Sequence, residues 1–161
     1  MKVKLMNELK IQRQLIEAIQ ALGGYAYKAS HRFMGGVADL DITLPDYRHW
    51  KWEIKYLPQV PSKGKVTVRL SPLQEQFIRD IHKAGGCAGW VCVVRDPANK
   101  EGINYWILMG VTERGPHTFD LNDRHQINVI WKNRGQPWPI PYIMSYMESA
   151  HAVQRKRYRR I

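Results

Sequence analysis

The stretch Gly35 to Leu57, GGVADLDITLPDYRHWKWEIKYL, decides the fold of this chain. It reads as two strands joined by a short turn. In the first, Leu40, Ile42 and Leu44 alternate with Asp39, Asp41 and Thr43. In the second, Trp50, Trp52, Ile54 and Tyr56 alternate with Lys51, Glu53, Lys55 and Leu57. Successive strand side chains point to opposite faces. One face of this hairpin is therefore apolar, and the other carries Asp39, Asp41, Glu53 and Lys55. Pro45 and Asp46 supply the turn chemistry between the two strands.

The polar face gathers acids inside an otherwise apolar segment. Neighbouring carboxylates repel, and burying them without a partner is costly. A divalent cation relieves that cost. Magnesium prefers oxygen ligands, commonly one or two carboxylates completed by water and substrate phosphate. Lys55 follows Glu53 by two residues, so its ammonium reaches the same spot. Two acids, a metal and a lysine suit attack of water on a phosphodiester.

The order G-V-A-D, a second strand and then E-I-K resembles the core of the PD-(D/E)XK nuclease superfamily. Gly23-Gly24-Tyr25-Ala26-Tyr27-Lys28 precedes it, Leu70-Ser71-Pro72-Leu73-Gln74 follows, and Gly85-Gly86 comes later. This layout is similar to the VRR-NUC type, found as small stand-alone phage proteins and fused to larger repair proteins. The resemblance spans roughly residues 8–94. Ala38 stands where the family usually has proline, which is not a ligand position. The resemblance implies a restriction-endonuclease-like α/β core. It also implies a magnesium site of Asp39, Glu53 and the Ile54 carbonyl, helped by Glu8, with manganese able to substitute. It implies DNA as partner, branched DNA or Holliday junctions included, and a possible homodimer.

Composition agrees with a polyanionic partner. The chain of 161 residues carries 25 Lys and Arg against 14 Asp and Glu, a formal net charge of +11. Such an excess favours nucleic acid, the alternative being a merely soluble basic protein. At 44% hydrophobic residues it holds enough apolar material for one packed domain. Cys87 and Cys92 are too few and too close for a disulfide framework, so free thiols are expected. No signal peptide and no apolar run of membrane-spanning length is visible, so a cytoplasmic protein without membrane contact is expected.

Along the chain, about Lys4 to Leu22 reads as an amphipathic helix with Glu8, Gln12, Leu15, Ile19 and Leu22 on one stripe. Glu8 thus faces the domain and Glu17 the solvent. The alternative for Glu8 is a first-turn acid favouring the helix dipole. Gly23-Gly24 stops the helix, and Tyr25 to Ala29 is a short strand. Lys28 near its end either contacts phosphate or is an ordinary surface lysine. In the loop Ser30 to Gly36, His31 and Arg32 can approach the substrate backbone, and His31 as general base competes with simple exposure. Val66 to Leu70 reads as an edge strand. Ser71 and Pro72 open a helix with Leu73, Phe77, Ile81 and Ala84 as its apolar stripe. Gln74 has two candidate roles: Ser71-x-x-Gln74 fits a capping box, and the resemblance places a glutamine here beside the active site. Whether Lys55 is the base or a charge clamp stays open.

Ala88 to Arg95 is an apolar run suited to a central strand covered on both faces. Tyr105 to Met109 and Ile127 to Trp131 read as further strands, with a polar, poorly periodic segment from Glu113 to His125 between them. Three prolines in Asn133 to Tyr142 mark a rigid connector anchored by Trp138. A final helix from about Tyr142 carries Ile143, Met144, Met147 and Ala150. It leads into Arg155, Lys156, Arg157, Arg159 and Arg160, a phosphate-gripping tail or a solubilising terminus. Zinc spacings, phosphate loops and nucleophile elbows are absent. The tryptophans sit mostly at apolar strand positions, which marks them as core.

These readings give an α/β domain over residues 1–132, with a core at about 8–95 and extra strands at about 103–131. Residues 133–161 form a C-terminal extension. The function they point to is a magnesium-dependent DNA endonuclease using Asp39, Glu53, Lys55 and Gln74, with Asp41 as fallback ligand. The rival readings are a non-catalytic nucleic-acid-binding protein on the same fold and an RNA-directed nuclease.

Overall fold

The computed structural model of the chain describes residues 7–29, 37–58, 64–95, 104–112, 117–122, 129–132 and 137–158. The elements run α1 (Glu8–Ala21), β1 (Tyr25–Lys28), β2 (Leu40–Thr43), β3 (Trp50–Leu57), β4 (Lys65–Val68), α2 (Pro72–Lys83), β5 (Cys87–Arg95), β6 (Asn104–Gly110), β7 (His117–Asp120), β8 (Val129–Lys132) and α3 (Ile140–Tyr158). The fold is α/β. A mixed sheet of six strands has the order β1-β2-β3-β5-β6-β8, and β4 and β7 form a second, two-stranded sheet. Only β3 and β5 pair in parallel; the other neighbours are antiparallel. A parallel pair needs a crossover, and β4 with α2 supplies it.

The hairpin forms as its alternation dictates. Asp46 adopts a positive φ of 69° one residue after Pro45, and the Tyr47 amide donates to the Leu44 carbonyl at 3.3 Å. Proline second and a left-handed residue third is the pattern of a type II turn. Leu40, Ile42, Trp50, Trp52 and Ile54 then enter one core with Ile11, Leu15 and Ile19 of α1 and Ile143, Met144 and Met147 of α3. The opposite face of the sheet packs Ala88, Trp90, Cys92 and Val94 against Ile78 of α2 and Val66 and Val68 of β4. β5, between the two cores, is buried from Cys87 to Val94, as its unbroken apolar run predicts.

Several details differ from expectation. α1 begins at Glu8, because extended Asn7 caps it by accepting from the Lys10 amide at 2.8 Å. Leu22, expected inside, is 48% exposed because it is the C-cap, beyond the last turn. Gly23 at φ 81° turns the chain, and Gly24 allows β2 to approach so closely that a Cβ there would meet the Thr43 carbonyl at 2.8 Å. On α2 the buried residue is Ile78, and Leu73 is 54% exposed. The stripe is rotated because Gln74, one position on, turns toward the sheet. β4 is an edge strand, as expected, but of a separate two-stranded sheet. It pairs with β7, a strand the polar segment hid.

α3 starts at Ile140, two residues early, because Pro141 lies in its first turn, where no amide bond is lost. The Trp138 indole nitrogen donates to Gln14 Oε1 at 3.1 Å, the anchor expected of it. Glu148 accepts from the Arg48 amide and the Trp50 indole, each at 3.0 Å, tying α3 to the start of β3. Both cysteines are free and buried. Among the described residues no helix is long and apolar enough to cross a membrane.

Candidate active site

The site lies where β2 begins and the antiparallel β3 continues past it. The last register pairs are Asp41 with Lys51 and Leu40 with Trp52. Past that point the β3 amides on the edge facing β2 have no strand partner, and acidic side chains take them, while the other edge stays paired with β5. Ile54 N–H donates to Asp39 Oδ2 at 2.9 Å, and Tyr56 N–H to Glu8 Oε1 at 3.4 Å. A strand residue's carbonyl leaves on the same edge as its amide. The Ile54 carbonyl therefore opens into the same gap.

Glu53 is buried, on the face toward α2. Gln74 Nε2 donates to its Oε1 at 2.5 Å, and Lys55 Nζ lies 3.7 Å from the same oxygen. Burial, then the adjacent Asp39 charge, pushes the Glu53 carboxyl up to about 8, although Lys55 pulls the other way. Two carboxyl groups therefore share a space that favours only one negative charge.

Gln74 makes the capping box with one end of its amide and reaches Glu53 with the other. Its Oε1 accepts from the Ser71 amide at 2.8 Å while Ser71 Oγ accepts from the Gln74 amide at 3.2 Å, a complete capping box. Its Nε2 is thereby aimed at Glu53. Gln74→Ala is expected to lose both bonds and destabilise the protein by about 1 kcal/mol. Gln74→Glu keeps a capping oxygen but sets a second acid against Glu53, so it should destabilise more at pH 9 than at pH 6. Thermal denaturation of both variants at the two pH values checks this; identical losses at both would leave Gln74 as a cap only.

Asp41 is occupied elsewhere. It is buried, paired with Lys51 Nζ, and His49 Nε2 lies 2.5 Å from its Oδ1. Thr43 Oγ1 in turn holds His49 Nδ1 at 2.9 Å. Asp41, the fallback ligand, thus has two basic neighbours, Lys51 and His49, that meet its carboxylate. The signal for them was charge complementarity across the hairpin, since Asp41 and Lys51 are directly paired.

Lys28 is exposed, and alternation sets it on the face of β1 opposite Tyr27. Glu17 is exposed, as the helical stripe requires. Arg155 and Lys156 are exposed near the end of α3, and Arg157 lies in its final turns. His31, Arg32, Arg159 and Arg160 lie outside the described residues. A cavity of about 480 Å³ lined by Trp90, Phe119 and Tyr146, among others, includes none of the candidate site residues. Burial pushes the Cys92 thiol up to about 12, which makes it inert as a nucleophile.

Among the described residues no three His, Cys, Asp or Glu side chains cluster as a metal cage. The donors at the gap are the carboxylates of Asp39 and Glu53 and the Ile54 carbonyl. This all-oxygen set is incomplete by itself and fits a cation that keeps several waters, as magnesium does. The suppressed ionisation of Glu53 is the electrostatic counterpart of that fit.

No protein-family model matches the chain, and no curated protein matches it. Among solved structures it is similar to a VRR_NUC domain at 26% identity and a TM-score of 0.41, covering 53% of this chain and 82% of that one. It is also similar to Hjc, a Holliday junction resolvase of Archaeoglobus fulgidus, at 14% identity and a TM-score of 0.41, covering 62% of this chain and 72% of that one.

Proposed function

We propose that this protein is a divalent-metal-dependent endonuclease that hydrolyses DNA phosphodiesters. The observation that carries this reading is the gap beside β3. There Asp39 and a buried Glu53 of raised pKa stand together, with Lys55 3.7 Å from Glu53. Asp39, Glu53 and the Ile54 carbonyl would hold magnesium, with Glu8 adding charge from the α1 side. Bound there, the cation supplies a more acidic water and neutralises charge on the phosphate. Asp39 is held by the Ile54 amide, so its carboxylate keeps its position. Gln74 holds Glu53 Oε1, which fixes that carboxyl group beside Asp39. Lys55 brings a cation to the same oxygen cluster, where it orients water or offsets charge at phosphorus. Arg155, Lys156 and Arg157 at the end of α3, together with the net charge of +11, support a phosphate backbone as partner.

The test is incubation with plasmid, a synthetic four-way junction and RNA, each with magnesium and with EDTA. Magnesium-dependent nicking of DNA is expected, and preference for the junction would make the enzyme structure-selective. Cutting of RNA alone would move the substrate class. No magnesium-dependent cutting of any of the three would leave a nucleic-acid-binding protein on this fold.

A further inference from the structure

β1 is an outer strand of the six-stranded sheet, and its two faces are unlike. Ala26 is buried against the α1 side. Tyr25 and Tyr27 alternate to the other face and are 64% and 47% exposed. Their ring centroids are 5.9 Å apart with planes tilted by 52°. On that face α2 and the small sheet cover β5, and the core beneath them includes no residue of β1 or β2. The register identifies what lies beside the tyrosines. Tyr27 pairs with Asp41 and Tyr25 with Thr43. Beyond them the Ala29 amide donates to the Asp39 carbonyl at 3.0 Å, so β1 follows β2 up to the candidate ligand. Tyr27, Asp41 and Asp39 thus share one sheet face. By strand geometry Tyr27 sits about 4.8 Å across from Asp41, and Asp39 about 7 Å further along β2. The intervening ground does not repel phosphate, because Lys51 and His49 meet the Asp41 charge.

We propose that Tyr25 and Tyr27 form a stacking platform for unpaired nucleotides of a DNA strand entering the Asp39–Glu53 site. Two large exposed aromatic rings have no partner in the fold beyond each other among the contacts described, and the strand edge that carries them leads directly to the carboxylates. Every nucleobase offers a π-face, so such a platform is indifferent to sequence, but it requires bases released from pairing. The protein therefore selects DNA with single-stranded character beside the cut, as at a branch, gap or frayed end. This selectivity rests on the nuclease reading. The platform itself is measured without catalysis.

The experiment uses the full chain in EDTA, a fluorescently labelled single-stranded oligodeoxynucleotide and a blunt duplex of the same sequence. Binding is read by anisotropy for the wild type, a Tyr25→Ala/Tyr27→Ala variant and a Tyr25→Phe/Tyr27→Phe variant. The alanine variant should lose about tenfold in single-strand affinity for each stacked base, with duplex affinity within about twofold. The phenylalanine variant should match the wild type. The dependence on salt should keep its slope, since no phosphate contact is removed. Both side chains are exposed, so unchanged melting temperatures accompany this result. Equal weakening on both probes, or no weakening on either, overturns the platform. Magnesium-dependent cleavage is scored separately. A chain that never cuts but shows the tyrosine effect sinks the nuclease reading alone, and a chain that cuts without that effect sinks the platform alone.

Discussion

Asp39→Asn is expected to slow magnesium-dependent DNA cleavage on the order of a thousandfold while leaving DNA binding intact or stronger. The asparagine oxygen still accepts the Ile54 amide, so β3 keeps its partner and the loss is one of charge alone. Glu53→Gln removes the carboxylate that the cation would displace a proton from, and it should slow cleavage similarly while DNA binding is kept. Removing a negative charge near phosphate lowers repulsion, which is why binding survives when cutting does not. Single-turnover cleavage at saturating protein, paired with gel shifts, separates the two quantities. Asp39→Ala would confound the result, because it also orphans the Ile54 amide. Full cleavage by Asp39→Asn would end the assignment of this gap as the active site.

The second large effect is a pH dependence that magnesium abolishes. Glu53 is raised from 4.5 to about 8 by burial and by Asp39. The folded metal-free protein therefore holds a proton there that the unfolded chain releases near pH 4.5. Its contribution to stability is complete below about pH 4.5 and is lost as the pH rises to about 8. The metal-free melting temperature should fall across that window by an amount equivalent to a few kcal/mol. A bound cation displaces the proton, so added magnesium should flatten the profile and raise melting most at the alkaline end. Glu53→Gln carries no proton and should be flat in both conditions. Melting curves from pH 5 to pH 9 with EDTA or magnesium decide it; a metal-free profile as flat as that of Glu53→Gln would show that Glu53 titrates normally.

The hairpin was legible because its alternation is strict and its turn contains Pro45 and Asp46 in the order the geometry needs. The pairing of Asp39 and Glu53 followed from that alternation and from the motif order. What was not legible depended on packing across elements. Leu73 looked apolar and therefore inward, yet the bond from Gln74 to Glu53 sets the rotation of α2 and turns Ile78 inward instead. The prolines before Tyr142 looked like helix breakers, and Pro141 breaks nothing because a first-turn residue has no amide to lose. The strand His117–Asp120 is only four residues long, half-buried and without alternation, so its pairing with β4 had no local signature. Gln74 posed a choice between cap and site that sequence could not resolve, because one amide has two ends.

The bonds that assemble the gap at β3 are also the bonds that fix how β2 lies against β3. A slip of one residue between those strands would turn Asp39 and Asp41 toward the hydrophobic core and Leu40 and Ile42 away from it. It would also withdraw the acceptor from the Ile54 amide. A misaligned sheet and a working pair of acids cannot coexist in this chain. The meeting of Asp39 with Glu53 and correct strand alignment are thus one condition, and the proposed activity would stay switched off until the central sheet is correctly formed.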